Sequence, residues 1–100
     1  MSDFEQDIRM LAERTESNRQ QFLQIEIETC GIAIDRGRLE VSLGNTHEGE
    51  KEFAIAKRGV EVIEYFLGQG RGPLAGIEAG LADVKASLSC LRRELDSYPR

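Results

Sequence analysis

His47, Cys30 and Cys90 are the only histidine and cysteines in the chain, and they are where nucleophilic or metal chemistry would have to start. A thiol nucleophile needs a base within hydrogen-bonding reach, and a metal needs His, Cys and carboxylates clustered at ligand spacing. Here the three residues are scattered, with no C-x-x-C or H-x-x-x-H spacing among them. His47 falls in the expected first turn of a helix, where an exposed residue beside the cap is the simpler reading. Both cysteines fall on expected helices and read as free buried thiols in a reducing compartment, with a helix-to-helix disulfide as the alternative. These residues supply no catalytic group, no metal ligand set and no cofactor site.

The stretch GQGRGPLAG, residues 68–76, is the one motif that invites a ligand. Gly70-Arg71-Gly72-Pro73-Leu74-Ala75 fits the G-x-G-x-x-G/A pattern and opens a helix, whose free amides can bind an anion. The fingerprint works only after a strand inside a βαβ unit, and the chain has no legible second strand. A loop with turn glycines is the better reading, which leaves Arg71 and the amides after Pro73 as a weak site for phosphate or sulfate. The first third offers Arg9, Arg14, Arg19, Arg36 and Arg38. In helix plan the chain is similar to small chorismate mutases, which join a long first helix to two shorter ones, dimerise, and grip a dicarboxylate with several Arg and Lys. Residues 1–50, however, hold eleven Asp or Glu and no lysine, and that family's site pattern does not map residue by residue. The resemblance implies an alternative function: a small all-helical enzyme with a small-molecule site at a dimer interface.

Composition narrows the classes. One hundred residues with 40% apolar content make one domain, residues 1–100, with enough material for a core. With 31% of residues charged, and no apolar run near the ~20 residues that span a bilayer, no membrane role is expected. The acidic start MSDFEQDIRM lacks a basic region followed by an apolar one, so no signal peptide is expected and the cytoplasm is the expected location. The net charge of −5 is concentrated in residues 1–50, with five Arg against eleven acids; residues 51–100 hold eight basic and seven acidic residues. Nucleic-acid binding requires clustered Lys and Arg, so it is not expected. An acidic half would favour a basic protein partner, although a solvated acidic face is the plainer reading.

The elements are all helical. Gly72-Pro73 reads as a helix start, and Leu74, Ile77, Leu81, Val84, Leu88, Leu91 and Leu95 follow at spacings of three and four. Ala75, Ala79, Ala82 and Ala86, with Gly76 and Gly80, form a second, small-residue face that predicts contacts on more than one side. A middle helix follows Gly44, capped by Asn45 or Thr46 with Glu48 as box partner, and Gly68 is expected to close it. Its stripe is Phe53, Ala56, Val60, Ile63 and Leu67. In the first third, Phe4, Ile8 and Leu11 form one stripe, and Phe22, Ile25, Ile32, Leu39 and Leu43 another in the same register. Thr15 and Asn18 occupy the stripe positions between them, and no Gly or Pro enforces a break there. One long helix over about 3–43, bent or straight at 15–18, is favoured over two. The expectation is an all-α, three-helix antiparallel bundle with helices over about 3–43, 46–67 and 73–97. At 1.5 Å per residue the first helix would be ~60 Å long and must overhang the others, at ~33–38 Å. An overhang carrying Phe4, Ile8 and Leu11 calls for a cover, and a homodimer is the expected one.

Six glycines fall inside the expected helices: Gly31, Gly37, Gly49, Gly59, Gly76 and Gly80. Each weakens its helix by ~1 kcal/mol relative to Ala, and close approach of two helices is the simplest compensation. Gly37, then Gly44-Asn45 in a polar turn, then Gly49, Phe53 and Ala56 resembles a single tetratricopeptide repeat over about residues 30–60. The resemblance implies a helical hairpin packed through Gly37, Gly49, Phe53 and Ala56. It departs from the family at Ala33, Arg36, Glu40 and Glu61, and no second copy follows. The expected function is a non-catalytic interaction or assembly module that self-associates through helix faces, with a further, unidentified protein partner.

Overall fold

The computed structural model describes residues 3–69 and 75–98, with side chains over 19–69 and 76–98. Three helices pack mutually: α1 (Asp3–Ser42), α2 (Thr46–Gly68) and α3 (Ala75–Ser97). The chain is an all-α three-helix bundle, with no strand among the described residues. α1 is continuous through 15–18, as the lack of a local Gly or Pro allows. Its 40 residues correspond to ~60 Å at 1.5 Å per residue, and the molecule measures 57 × 29 × 16 Å.

α1 stops at Gly44, whose φ of 83° is a left-handed conformation that costs glycine nothing. The amide of Asn45 donates to the Glu40 carbonyl at 2.8 Å and that of Gly44 to Val41 at 3.0 Å, the two bonds of a Schellman cap. Asn45 then starts α2, but not through its side chain. Its carbonyl accepts from the Gly49 amide at 3.0 Å, while its Nδ2 donates back to Glu40 Oε2 at 2.9 Å. The expected capping box therefore does not form; the side chain clamps the turn instead. Nor does Gly68 close α2, which runs through it to Gln69 in right-handed geometry. The expected start of α3 at Pro73 lies outside the described residues.

The turn sends α2 back along α1. Near its start Gly49 lies beside Gly37 and Val41, and near its end Phe66 reaches Arg19. α3 runs parallel to α1, with Gly80 against Ile27, Gly37 against Leu91, and Gly44 against Tyr98. Since α2 ends level with Arg19, the first four turns of α1 extend past the described ends of α2 and α3.

The core is built from the expected stripes of α2 and α3 but not from that of α1. Ile77, Leu81, Val84, Leu88, Leu91 and Leu95 are buried, as are Ala56, Val60 and Ile63. From α1 the core takes Leu23, Ile27, Cys30, Ala33, Ile34 and Val41. The small-residue face of α3 is a correction: Ala79, Ala82 and Ala86 are exposed, and among the described residues nothing lies within 4 Å of where a Cβ on Gly76 would stand. Of the two glycines in that set, Gly80 meets a neighbour: a Cβ there would lie 3.1 Å from Ile27 Cδ1.

Candidate functional site

α1 is apolar on two faces. Leu23, Ile27, Cys30, Ile34, Gly37 and Val41 recur at alternating spacings of four and three and face the bundle. Phe22, Ile25, Ile32, Leu39 and Leu43 follow the same alternation once Thr29 and Arg36 are included. At 3.6 residues per turn the two seams lie roughly 150° apart, so only one can face α2 and α3. The second seam points outward: Ile25 is 52% exposed, Ile32 53%, Leu39 57% and Leu43 64%. These residues were the expected α1 stripe, and the structure turns them to the outside because the other seam is the one complementary to α2 and α3. Traced backward, the outward register passes through Asn18, Thr15, Leu11, Ile8 and Phe4 without a skip. The side chains of Phe4, Ile8 and Leu11, expected at a dimer interface, lie outside the described residues.

Strict alternation of three and four is a period of 3.5, not the 3.6 of a straight helix. On an isolated helix such a seam drifts by ~20° per heptad, and supercoiling about a partner helix keeps it facing one way. Scattered apolar residues on a surface are ordinary, but an aligned row is not.

The rim of this face is aromatic at one end. Phe22 meets Phe66 edge-on with ring centroids 5.4 Å apart, and Phe66 meets Tyr65 at the same distance. Tyr65 is exposed, as is Ile55, which stands three residues after Glu52 and four before Gly59 on the α1-facing side of α2. Just below, Arg19 is buried. Its Nη2 donates to the Phe66 carbonyl at 3.0 Å and to that of Leu67 at 3.5 Å. α2 has no basic residue in its last turn, so Arg19 supplies from α1 the positive charge that the carbonyl end attracts.

Behind the face, the α1–α2 seam is close. A Cβ on Gly37 would lie 2.7 Å from Leu91 Cδ2 and 3.2 Å from Glu52 Cβ. One on Gly49 would lie 2.9 Å from Val41 Cγ2, 3.0 Å from Leu95 Cδ2 and 3.4 Å from the Gly37 carbonyl oxygen. One on Gly59 would collide with Cys30 Sγ. Gly31, by contrast, has nothing within 4 Å. Ala56 is buried in the same seam, its carbonyl 3.7 Å from Cys30 Sγ. Phe53 is partly buried against the core, with the Arg92 guanidinium of α3 4.8 Å above its ring. Arg92 also holds Glu50 in two parallel bonds, at 3.0 and 2.7 Å, and reaches Asp96 at 2.9 Å. Those hydrogen bonds, Glu50 first and then Asp96, hold its charge more firmly than usual.

The residues with chemical potential do not converge. Cys30 is buried, and burial, helped by the charge of Glu26, pushes its thiol pKa up, away from the reactive thiolate. Cys90 is free and half-buried on α3, with Arg93 Nη2 3.1 Å from its sulfur. His47 is exposed in the first turn of α2. Among the described residues no group of His, Cys, Asp and Glu could hold a metal, and no helix is long and apolar enough to cross a membrane. Arg71, the weak anion site expected from the sequence, lies outside the described residues. No family model, curated protein or solved structure matches the chain.

Proposed function

We propose that this protein is a non-catalytic interaction or assembly module that self-associates through helix faces, with the outward seam of α1 as its contact surface. One observation carries the reading: Ile25, Ile32, Leu39 and Leu43, all more than half exposed, form a single row on a helix whose opposite face already supplies the core. A surface helix with one bundle to pack against needs one apolar face. The second is unfavourable in water at roughly 25 cal/mol per Å² and favours association by the same amount. A further protein partner belongs to the same reading, and the acidic first half would favour a basic one. So does a cytoplasmic location, which suits free Cys30 and Cys90. The α1–α2 hairpin is read as tetratricopeptide-like in its packing, supported by the approach of Gly49 to the Gly37 carbonyl.

The test is Ile32→Glu combined with Leu39→Glu. Both positions are exposed in the single chain, so the variant should keep its helical circular dichroism while losing self-association in sedimentation velocity, with a melting temperature lowered to that of the monomer. A doubly charged variant that sediments like the parent protein would remove this face from consideration.

A further inference from the structure

We infer that the occupant of the outward seam is α1 of a second copy, running antiparallel along the whole helix; this rests on the self-association reading above. The seam selects both the occupant and its direction. In a parallel pair each position meets its own copy, so Arg36 would face the partner's Arg36 inside the seam. Asp35 would also flank the partner's Glu40, and like charges in such places are destabilising. In an antiparallel pair centred just after Leu23, both problems disappear. Phe22 then layers on the partner's Ile25 and Ile8 on the partner's Leu39. The polar position Asn18 falls opposite the polar Thr29 of the partner subunit, and Asp35 falls within two residues of the position of the partner's Arg14. One like-charged approach, Glu5 to the partner's Glu40, opposes this register near the helix ends, where water screens it most.

Three features of the fold agree with that register. The turns of α1 that extend past the bundle, residues 3–18, lie along residues 29–44 of the partner, where Ile32, Leu39 and Leu43 are exposed. Each copy thus covers what the other leaves bare. The two-fold axis passes beside Phe22, bringing the Phe22–Phe66–Tyr65 clusters of the two copies together and giving the exposed Tyr65 a neighbour. The described apolar seam residues expose on the order of 500 Å² per copy, or about 1,000 Å² across two, the lower limit of a specific interface, and in this register most of that area is covered by residues 3–18 of the other copy. The contact is isologous and closes on itself, so it yields a dimer rather than a filament.

The test uses two single-cysteine variants, Asn18→Cys and Thr29→Cys, each in a Cys90→Ser background with buried Cys30 retained. Each is treated with a short bis-maleimide, alone and after the two are mixed and allowed to exchange. The antiparallel register predicts cross-linked dimer only in the mixture, involving up to half of the chains. Within either variant alone the two thiols sit about 16 Å apart along the helix at 1.5 Å per residue, beyond the reagent. Cross-linking of Thr29→Cys alone would establish a parallel pair and overturn the inference. So would an unlinked mixture that light scattering shows to be dimeric; in both cases self-association would stand. A mixture that is monomeric by light scattering would overturn both readings together.

Discussion

Gly59→Ala should destabilise the protein with Cys30 present and stabilise it with Cys30→Ala. A methyl group at 59 meets one obstacle, Cys30 Sγ, which is buried and directed at the Ala56 carbonyl. The sulfur has no solvent side to swing into, so α1 and α2 must part slightly. Overpacking of this kind costs about 1–3 kcal/mol. Better helix propensity returns ~1 kcal/mol of it, for a net loss of about 1 kcal/mol. Cys30→Ala removes the obstacle and leaves a small void that the new methyl partly fills. In that background Gly59→Ala keeps the propensity gain, about 1 kcal/mol in the opposite direction. The coupling between the two sites is therefore ~2 kcal/mol, well inside the range measured for residues in contact. Urea denaturation at one fixed protein concentration measures it. With a slope near 1 kcal/mol per molar for a small domain, the midpoint should move by about 1 M, downward in one background and upward in the other. Equal shifts in both backgrounds, with coupling under ~0.5 kcal/mol, would mean that α1 and α2 do not meet at Cys30 and Gly59.

Other perturbations probe the remaining contacts. Gly49→Leu has Val41, Leu95 and a backbone carbonyl in its path and should lose a few kcal/mol in the same denaturation assay, whereas Gly31→Ala meets nothing and should gain up to ~1 kcal/mol. Arg19→Met keeps the packing but leaves the Phe66 and Leu67 carbonyls without their charged donor. A loss of ~1.5–3 kcal/mol is expected, together with faster amide exchange in the last turn of α2. With the Cys30 thiol pKa raised by burial, an alkylating reagent near pH 8 should modify Cys90 first and reach Cys30 only at the rate of opening; equal rates would show that Cys30 is accessible.

Much of this architecture is readable before folding. The α2 and α3 stripes bury because each of those helices has one apolar row, so periodicity alone identifies the inward side. Gly44-Asn45 is likewise legible as a turn, since few residues other than glycine tolerate a φ of 83°. α1 defeats the same reasoning. It carries two rows with identical spacing, and the row with larger residues, Phe22, Ile25, Ile32, Leu39 and Leu43, is the one that faces out. What decides between them is complementarity to α2: Cys30 and Gly37 are small enough to admit Gly59 and Gly49, which no property of α1 alone reveals. A signal was present in the second row itself, which a helix packed on a single bundle does not require. Arg19 was equally hidden. Its place in the sequence is that of one surface arginine among five, and only the end of α2, forty-seven residues on, gives it carbonyls to hold.

Self-association through the outward face of α1 is the central claim, and light scattering behind size exclusion tests it most directly. Across a dilution series of the intact chain, a mass about twice the 11.2 kDa of one chain should persist. A mass of 11.2 kDa at every concentration would contradict it.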